Sequence, residues 1–160
     1  MLFSILHLIH VLTVIIWIGG LAFITMLVLP MIIGMPDALQ KVLFFQRIEH
    51  RFAPRARIFS ATVVISGLIM MFSTGWHAML FTKRGIPLLV MLVIGLFWIV
   101  MLFGLEPRII KRMLANLAKS GEKMEIETVF NRMNRLHWVL FIVSLIASAA
   151  GVIFAHGYFL

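Results

Sequence analysis

The chain contains no cysteine. That excludes disulfides, thiolate-held zinc, iron–sulfur clusters and covalent C-x-x-C-H haem attachment, so any metal or cofactor must be held by histidine, methionine or oxygen ligands. Acidic residues are scarce too: 6 Asp and Glu stand against 14 Lys and Arg in 160 residues, a formal net charge of +8. None of the acids falls inside a long apolar run; Glu106 stands at the end of one and the rest lie in connections. A carboxylate relay of the kind found in proton-driven transporters is therefore missing, and so is the usual general acid and base pair. No basic leader precedes the first apolar run, which is too long for the core of a signal peptide; the expectation is a retained membrane anchor.

What the chain has in abundance is apolar surface. Hydrophobic residues make up 62% of it and the mean hydropathy is +1.10. A soluble chain of this length cannot hide so much apolar area, whereas a bilayer accepts apolar helices of about 20 residues. Four spans are expected: Leu2 to Met31, Ile58 to Leu80, Ile86 to Leu105 and Trp138 to Tyr158. Strict apolar/polar alternation over strand-length stretches is absent, which argues against an outer-membrane barrel. The predicted fold is a single all-α domain, an integral membrane four-helix bundle.

Lys and Arg orient it. The first connection carries Lys41, Arg47, Arg51, Arg55 and Arg57, and the third carries Arg108, Lys111, Arg112, Lys119, Lys123, Arg132 and Arg135, against Lys83 and Arg84 in the second. The positive-inside rule makes connections one and three cytoplasmic and turns both termini outward, as expected for a prokaryotic inner membrane. The basic excess serves this pattern and anionic lipid, not nucleic acid, because no groove with stacking aromatics accompanies it.

Both cytoplasmic connections carry amphipathic helical extensions. Asp37-Ala38-Leu39-Gln40 has capping-box spacing, and Val42, Leu43, Phe44, Ile48 and Phe52 supply an apolar face that Pro54 is expected to end. In the third connection Ile109, Ile110, Met113, Leu114 and Leu117 continue a helical pattern to the Ser120-Gly121 break, and Ile126, Phe130 and Met133 lead into the fourth span. The two arms are expected to project as a charged hairpin.

Histidine is the chemistry-bearing residue. On this topology His10, His77 and His156 fall within about 10 Å of the outer edge of three different spans. Intramembrane imidazoles are costly without partners, so three at one level point to a metal, a haem or a proton path. His7, one turn above His10 on nearly the same face, competes as the first-span ligand. Lys83 and Arg84 lie near His77 and suit haem propionates through charge-assisted bonds, though basic residues at a span end also serve as snorkelling anchors. His50 and His137 form a secondary layer at the inner side, placed to meet each other, lipid phosphate or a quinone headgroup. His50 and His77 are 27 residues apart, too far for a two-haem helix, so an inner haem is disfavoured. The faces around these residues, with Thr13, Trp17 and Gly20, with Ser66, Met70 and Ser73, and with Ser144, Ser148, Gly151 and Ala155, have the small and polar character of helix–helix contacts. Met70 and Met71 offer soft donors that suit copper(I). The third span has no histidine, only Gly95, Trp98 and Gly104 as features, and is expected to lie away from the site or to form a dimer face.

The stretch His7-Leu8-Ile9-His10-Val11-Leu12, followed by Trp17-Ile18-Gly19-Gly20-Leu21, resembles the H-x-x-x-x-x-x-W-x-G-G opening of the copper resistance protein D (CopD) family and related small four-helix membrane proteins. Ser66-Gly67-Leu68, Leu105-Glu106-Pro107-Arg108 and Arg132-Met133-Asn134-Arg135-Leu136-His137 fit the same group more loosely. The resemblance implies copper movement or homeostasis, and the wider group implies binding of haem b. His10, Trp17, Gly19 and Gly20 match by position; the roles of His77 and His156 come from depth alone. Gly75-Trp76-His77-Ala78 is also similar, more weakly, to HemJ-type protoporphyrinogen oxidase, whose lysine is displaced here to Lys83. The expectations are therefore a haem b protein transferring electrons to a quinone or another redox partner, a copper transport protein, and a tetrapyrrole oxidase, in that order.

Overall fold

A computed structural model describes residues 1–105, 108 and 123–157. Among them every regular element is helical, and four helices are long and apolar enough to cross a membrane. We label them α1 (Leu2–Ile33), α2 (Ala38–Ser73), α3 (Ile86–Val100, continued by a π-helical turn over Met101–Leu105) and α4 (Lys123–His156). Each helix packs antiparallel on the next and α4 closes against α1, giving a ring in chain order. One end of the ring carries the histidines of α1, the α2–α3 connection and α4; the other carries most of the basic residues.

Local chemistry explains the ends and the irregular turns. Asp37 caps α2, its Oδ1 accepting from the backbone N–H groups of Leu39 at 2.7 Å and Gln40 at 3.0 Å. Asp37→Ala should cost about 1 kcal/mol, read as a lower unfolding midpoint in detergent. In α1 the turn over Ile24–Val28 is π-helical, with the Leu29 N–H reaching back to the Ile24 carbonyl. Pro30 follows at once; its ring crowds the preceding turn and it has no N–H to give, and the extra residue accommodates both. α2 ends where Gly75 adopts φ 75°, a left-handed stop that other residues reach only with strain. Past it, a short 3₁₀ turn over Trp76–Met79 leads to Gly85, where a β-carbon would collide with the Met79 carbonyl. Gly85→Ala should therefore displace the whole connection, and a drop in thermal stability exceeding that of Gly19→Ala, whose site is open, checks it.

The structure corrects three sequence-based expectations. The amphipathic helix and the second span are one helix of 36 residues, and Pro54 lies inside it. The carbonyl that Pro54 leaves without its usual donor belongs to His50, on an exposed stretch, while Ala53 and Ala56 are packed at 2% and 1% exposure on either side. Tertiary packing on both flanks holds the helix through the proline. The second correction follows from Gly75: α2 stops at Ser73, so His77 belongs to the connecting turn and not to the helical stripe of Ser66 and Met70. Third, the approach to the fourth span is continuous with it, so Ile126 and Phe130 belong to α4 itself. The arm expected over Ile109–Leu117, its Ser120-Gly121 break, and Tyr158 lie outside the described residues.

Two cores result. The central one joins Trp17 and Leu21 of α1, Ala56 of α2, Trp98 and Leu102 of α3, and Leu140 and Phe141 of α4. Trp98 meets Trp17 edge to face at 4.9 Å, crossing the ring, and donates Nε1–H to Ser144 Oγ at 3.1 Å. The third helix is the least covered of the four, yet its Trp98 is central. The second core, nearer the basic end, packs Ile24, Val28, Leu29 and Ile32 against Phe45, Ile126 and Phe130, so α1, α2 and α4 build it together. A helix of 36 residues is about 54 Å long, more than the ~30 Å hydrocarbon core of a bilayer.

Candidate functional site at the histidine end

Of the histidines at this end, His10 is the one that the bundle holds on its inside. It is half-buried on α1, with Nδ1 3.0 Å from Ser66 Oγ of α2. Ser66 is 4% exposed, and its hydroxyl lies 2.6 Å from the Thr62 carbonyl and 3.1 Å from that of Val63. A serine has a single proton to give, and these carbonyls can only accept. Ser66 Oγ is therefore the acceptor toward His10, Nδ1 carries the hydrogen, and Nε2 is the unprotonated nitrogen of the neutral ring. Gly67 completes the seat: a β-carbon there would stand 3.2 Å from His10 Cε1. The sequence places a serine and a glycine at two of the positions of α2 that the imidazole lies against, and the Val63 backbone is a third.

Above His10 an aromatic cluster closes the end. Trp76, from the 3₁₀ turn, meets Phe3 of α1 at 5.6 Å and Phe154 of α4 at 4.8 Å, both edge to face, and Phe3 stacks on His7 at 5.8 Å. Trp76 thus ties the α2–α3 connection to two helices, a role that sequence reasoning missed because its partners are distant in the chain. His77 turns to the outside and lies against Phe72 at 5.3 Å. His156 is exposed, and its Nδ1 donates to the Val152 carbonyl at 2.8 Å. Lys83 and Arg84 are exposed in the turn before α3, with the Thr82 hydroxyl accepting from Gly85 N–H. His10, His77 and His156 therefore share one end of the bundle, but differ in setting. Among the described residues no three His, Asp or Glu side chains stand close enough to hold one metal ion.

His50 and His137 are apart from this group. His50 is exposed on α2, and His137, half-buried on α4, donates Nδ1–H to the Met133 carbonyl at 2.9 Å. Both lie on helices whose basic halves pack together.

These features define a class: an all-helical bundle with four membrane-length apolar helices, a basic end and an opposite end that orders one neutral histidine. Compared with protein-family models, with curated proteins and with solved structures, the chain has no match.

Proposed function

We propose that this is a membrane protein that holds haem b by histidine at the end opposite its basic residues and serves electron transfer, with a membrane quinone as the natural partner. The observation that carries the reading is the Ser66–His10 pair. A ligating histidine needs its other nitrogen tied to an acceptor that fixes ring and tautomer, and Ser66 does this for His10 with Gly67 giving the ring its place. The donor set suits the group: His10 would hold it through Nε2, and His77 or His156, at the same end, would offer a second imidazole. Haem so held supplies reversible one-electron chemistry. Exposed Lys83 and Arg84 are the cations available to its carboxylates.

The visible spectrum of protein purified from haem-sufficient cells tests this. A Soret band that shifts on reduction is expected, lost in His10→Ala and displaced or weakened in Gly67→Val, whose side chain pushes the ring off its seat. Ser66→Ala should keep the pigment but lower its retention about tenfold or more. A colourless preparation overturns the reading.

Copper handling of the kind implied by the CopD-like opening is the second reading, and one observation favours it: Met70, a soft donor, is 6% exposed one turn along α2 from Ser66. A colourless protein with stoichiometric copper, lost in His10→Ala and Met70→Leu together, decides for it.

A further inference from the structure

At the basic end, among the described residues, one cation is buried in the protein. Lys41 is 4% exposed, on the first turns of α2, and its Nζ is 4.0 Å from Glu127 Oε1 on α4. That separation is an ion pair without a hydrogen bond, and among the described residues the ammonium makes no other. Burying an ammonium with its N–H groups unmatched is costly, and replacing such a pair by apolar residues is often neutral or better. The lysine also faces a cavity of about 180 Å³, lined by Ile33, Lys41, Glu127, Phe130 and Asn131, where some 10–15 Å³ admits a single water. Outside this lining, Asn134 follows Glu127 and Asn131 at i+7 and i+3 on the same face of α4, and its Oδ1 is buried with no hydrogen-bond partner among the described residues. The polar groups here are thus under-used in the protein's own fold.

We propose that this cavity binds a zwitterionic phospholipid headgroup that carries a phosphate and a primary ammonium, the phosphatidylethanolamine type. Three properties of the cavity select it. The walls offer one cation and one anion about one headgroup apart, so a phosphate facing Lys41 and an ammonium facing Glu127 are both matched. A purely anionic headgroup meets Glu127 with like charge, and a choline has no N–H to give the carboxylate or Asn131. The location agrees: Ile33 is the last residue of α1 and Lys41 sits just inside α2, where apolar helix gives way to charged chain, with the half-buried Ile33 as the apolar side of the cavity. The inference is independent of haem or copper at the other end.

Native mass spectrometry of protein extracted into mild detergent and exchanged with equimolar phosphatidylethanolamine, phosphatidylcholine and phosphatidylglycerol tests it. One phosphatidylethanolamine per chain is expected to survive with about tenfold preference over either competitor, the difference of one charge-assisted hydrogen bond. Lys41→Met should abolish retention. Glu127→Gln, at a half-exposed position that leaves folding intact, should remove the preference over phosphatidylglycerol while helical circular dichroism stays unchanged. Equal retention of the three lipids, or a preference indifferent to both substitutions, overturns the proposal. So does full competition by soluble O-phosphoethanolamine, which assigns the cavity to a soluble ligand. The visible spectrum is unaffected in every case, so this result and that for His10 are read separately.

Discussion

Phe130→Ala should lower the stability of the folded protein by about 3–5 kcal/mol, the usual range for emptying a fully packed phenylalanine site. Phe130 is 1% exposed, meets Phe45 edge to face at 5.7 Å, and sits among Ile24, Val28, Leu29, Ile32 and Ile126. Three helices contribute to that cluster, so no single one can shift to refill the space, and the cavity term adds to the lost contacts. Phe130→Leu keeps most of the volume and should cost about 1 kcal/mol. Leu136, 41% exposed on the same helix, is the control; its alanine variant should change stability by about 0.5 kcal/mol or less. Thermal unfolding in detergent followed by helical circular dichroism ranks the three. A Phe130→Ala variant indistinguishable from the Leu136 control would show that the basic end has no packed core.

The second large effect belongs to Trp98→Ala, again about 3–5 kcal/mol, with about 1 kcal/mol of it from the Trp17 edge-to-face pair. The physics differs from that at Phe130. Between apolar helices in lipid there is little hydrophobic gain on contact, so close packing and dispersion hold the helices together. Trp98 is the side chain through which α3 reaches α1 across the ring and α4 beside it. Trp98→Phe keeps the ring contact and loses only the Nε1–H bond to Ser144, whose own hydroxyl still donates to the Leu140 carbonyl at 2.9 Å. Interhelical hydrogen bonds of this kind average about 0.6 kcal/mol, so the phenylalanine variant should stay close to the parent. Partial release of α3, seen as faster proteolysis of the α2–α3 connection, should accompany the alanine variant alone.

The four apolar runs were legible because hydropathy over 20 residues hardly depends on neighbours, and the Asp37 cap because its partners are two and three residues away. The inward stripes were legible in part. Trp17, Ser66 and Ser144 are buried as their helical spacing implied, whereas Ser73 and Ala155 are exposed because α2 and α4 reach their ends there. Pro54 misled because a local rule for helix ends competes with packing at Ala53 and Ala56, which no local pattern reports. His77 misled for the opposite reason: hydropathy runs on past Ser73, and only the left-handed Gly75 stops the helix. Lys41 was readable and was passed over, since Lys41, Phe45, Ile48 and Phe52 follow i, i+4, i+7 and i+11 and put the lysine on the apolar face. The hydrogen-bond sense at His10 needed Ser66 beside it, 56 residues away, and could not have come from spacing.

That α2 is unbroken from Ala38 to Ser73 limits how this chain can change in length. Lys41 and Ser66 ride on the same rigid rod, one facing Glu127 and the other His10. Adding or removing a residue between them turns one end against the other by about 100° and slides it by about 1.5 Å. Substitutions along the exposed side of α2 leave both partnerships intact, but a single insertion uncouples one of them. A change of about seven residues, two full turns with a drift of some 20°, restores the relative direction of the two faces but still slides one end by about 10 Å.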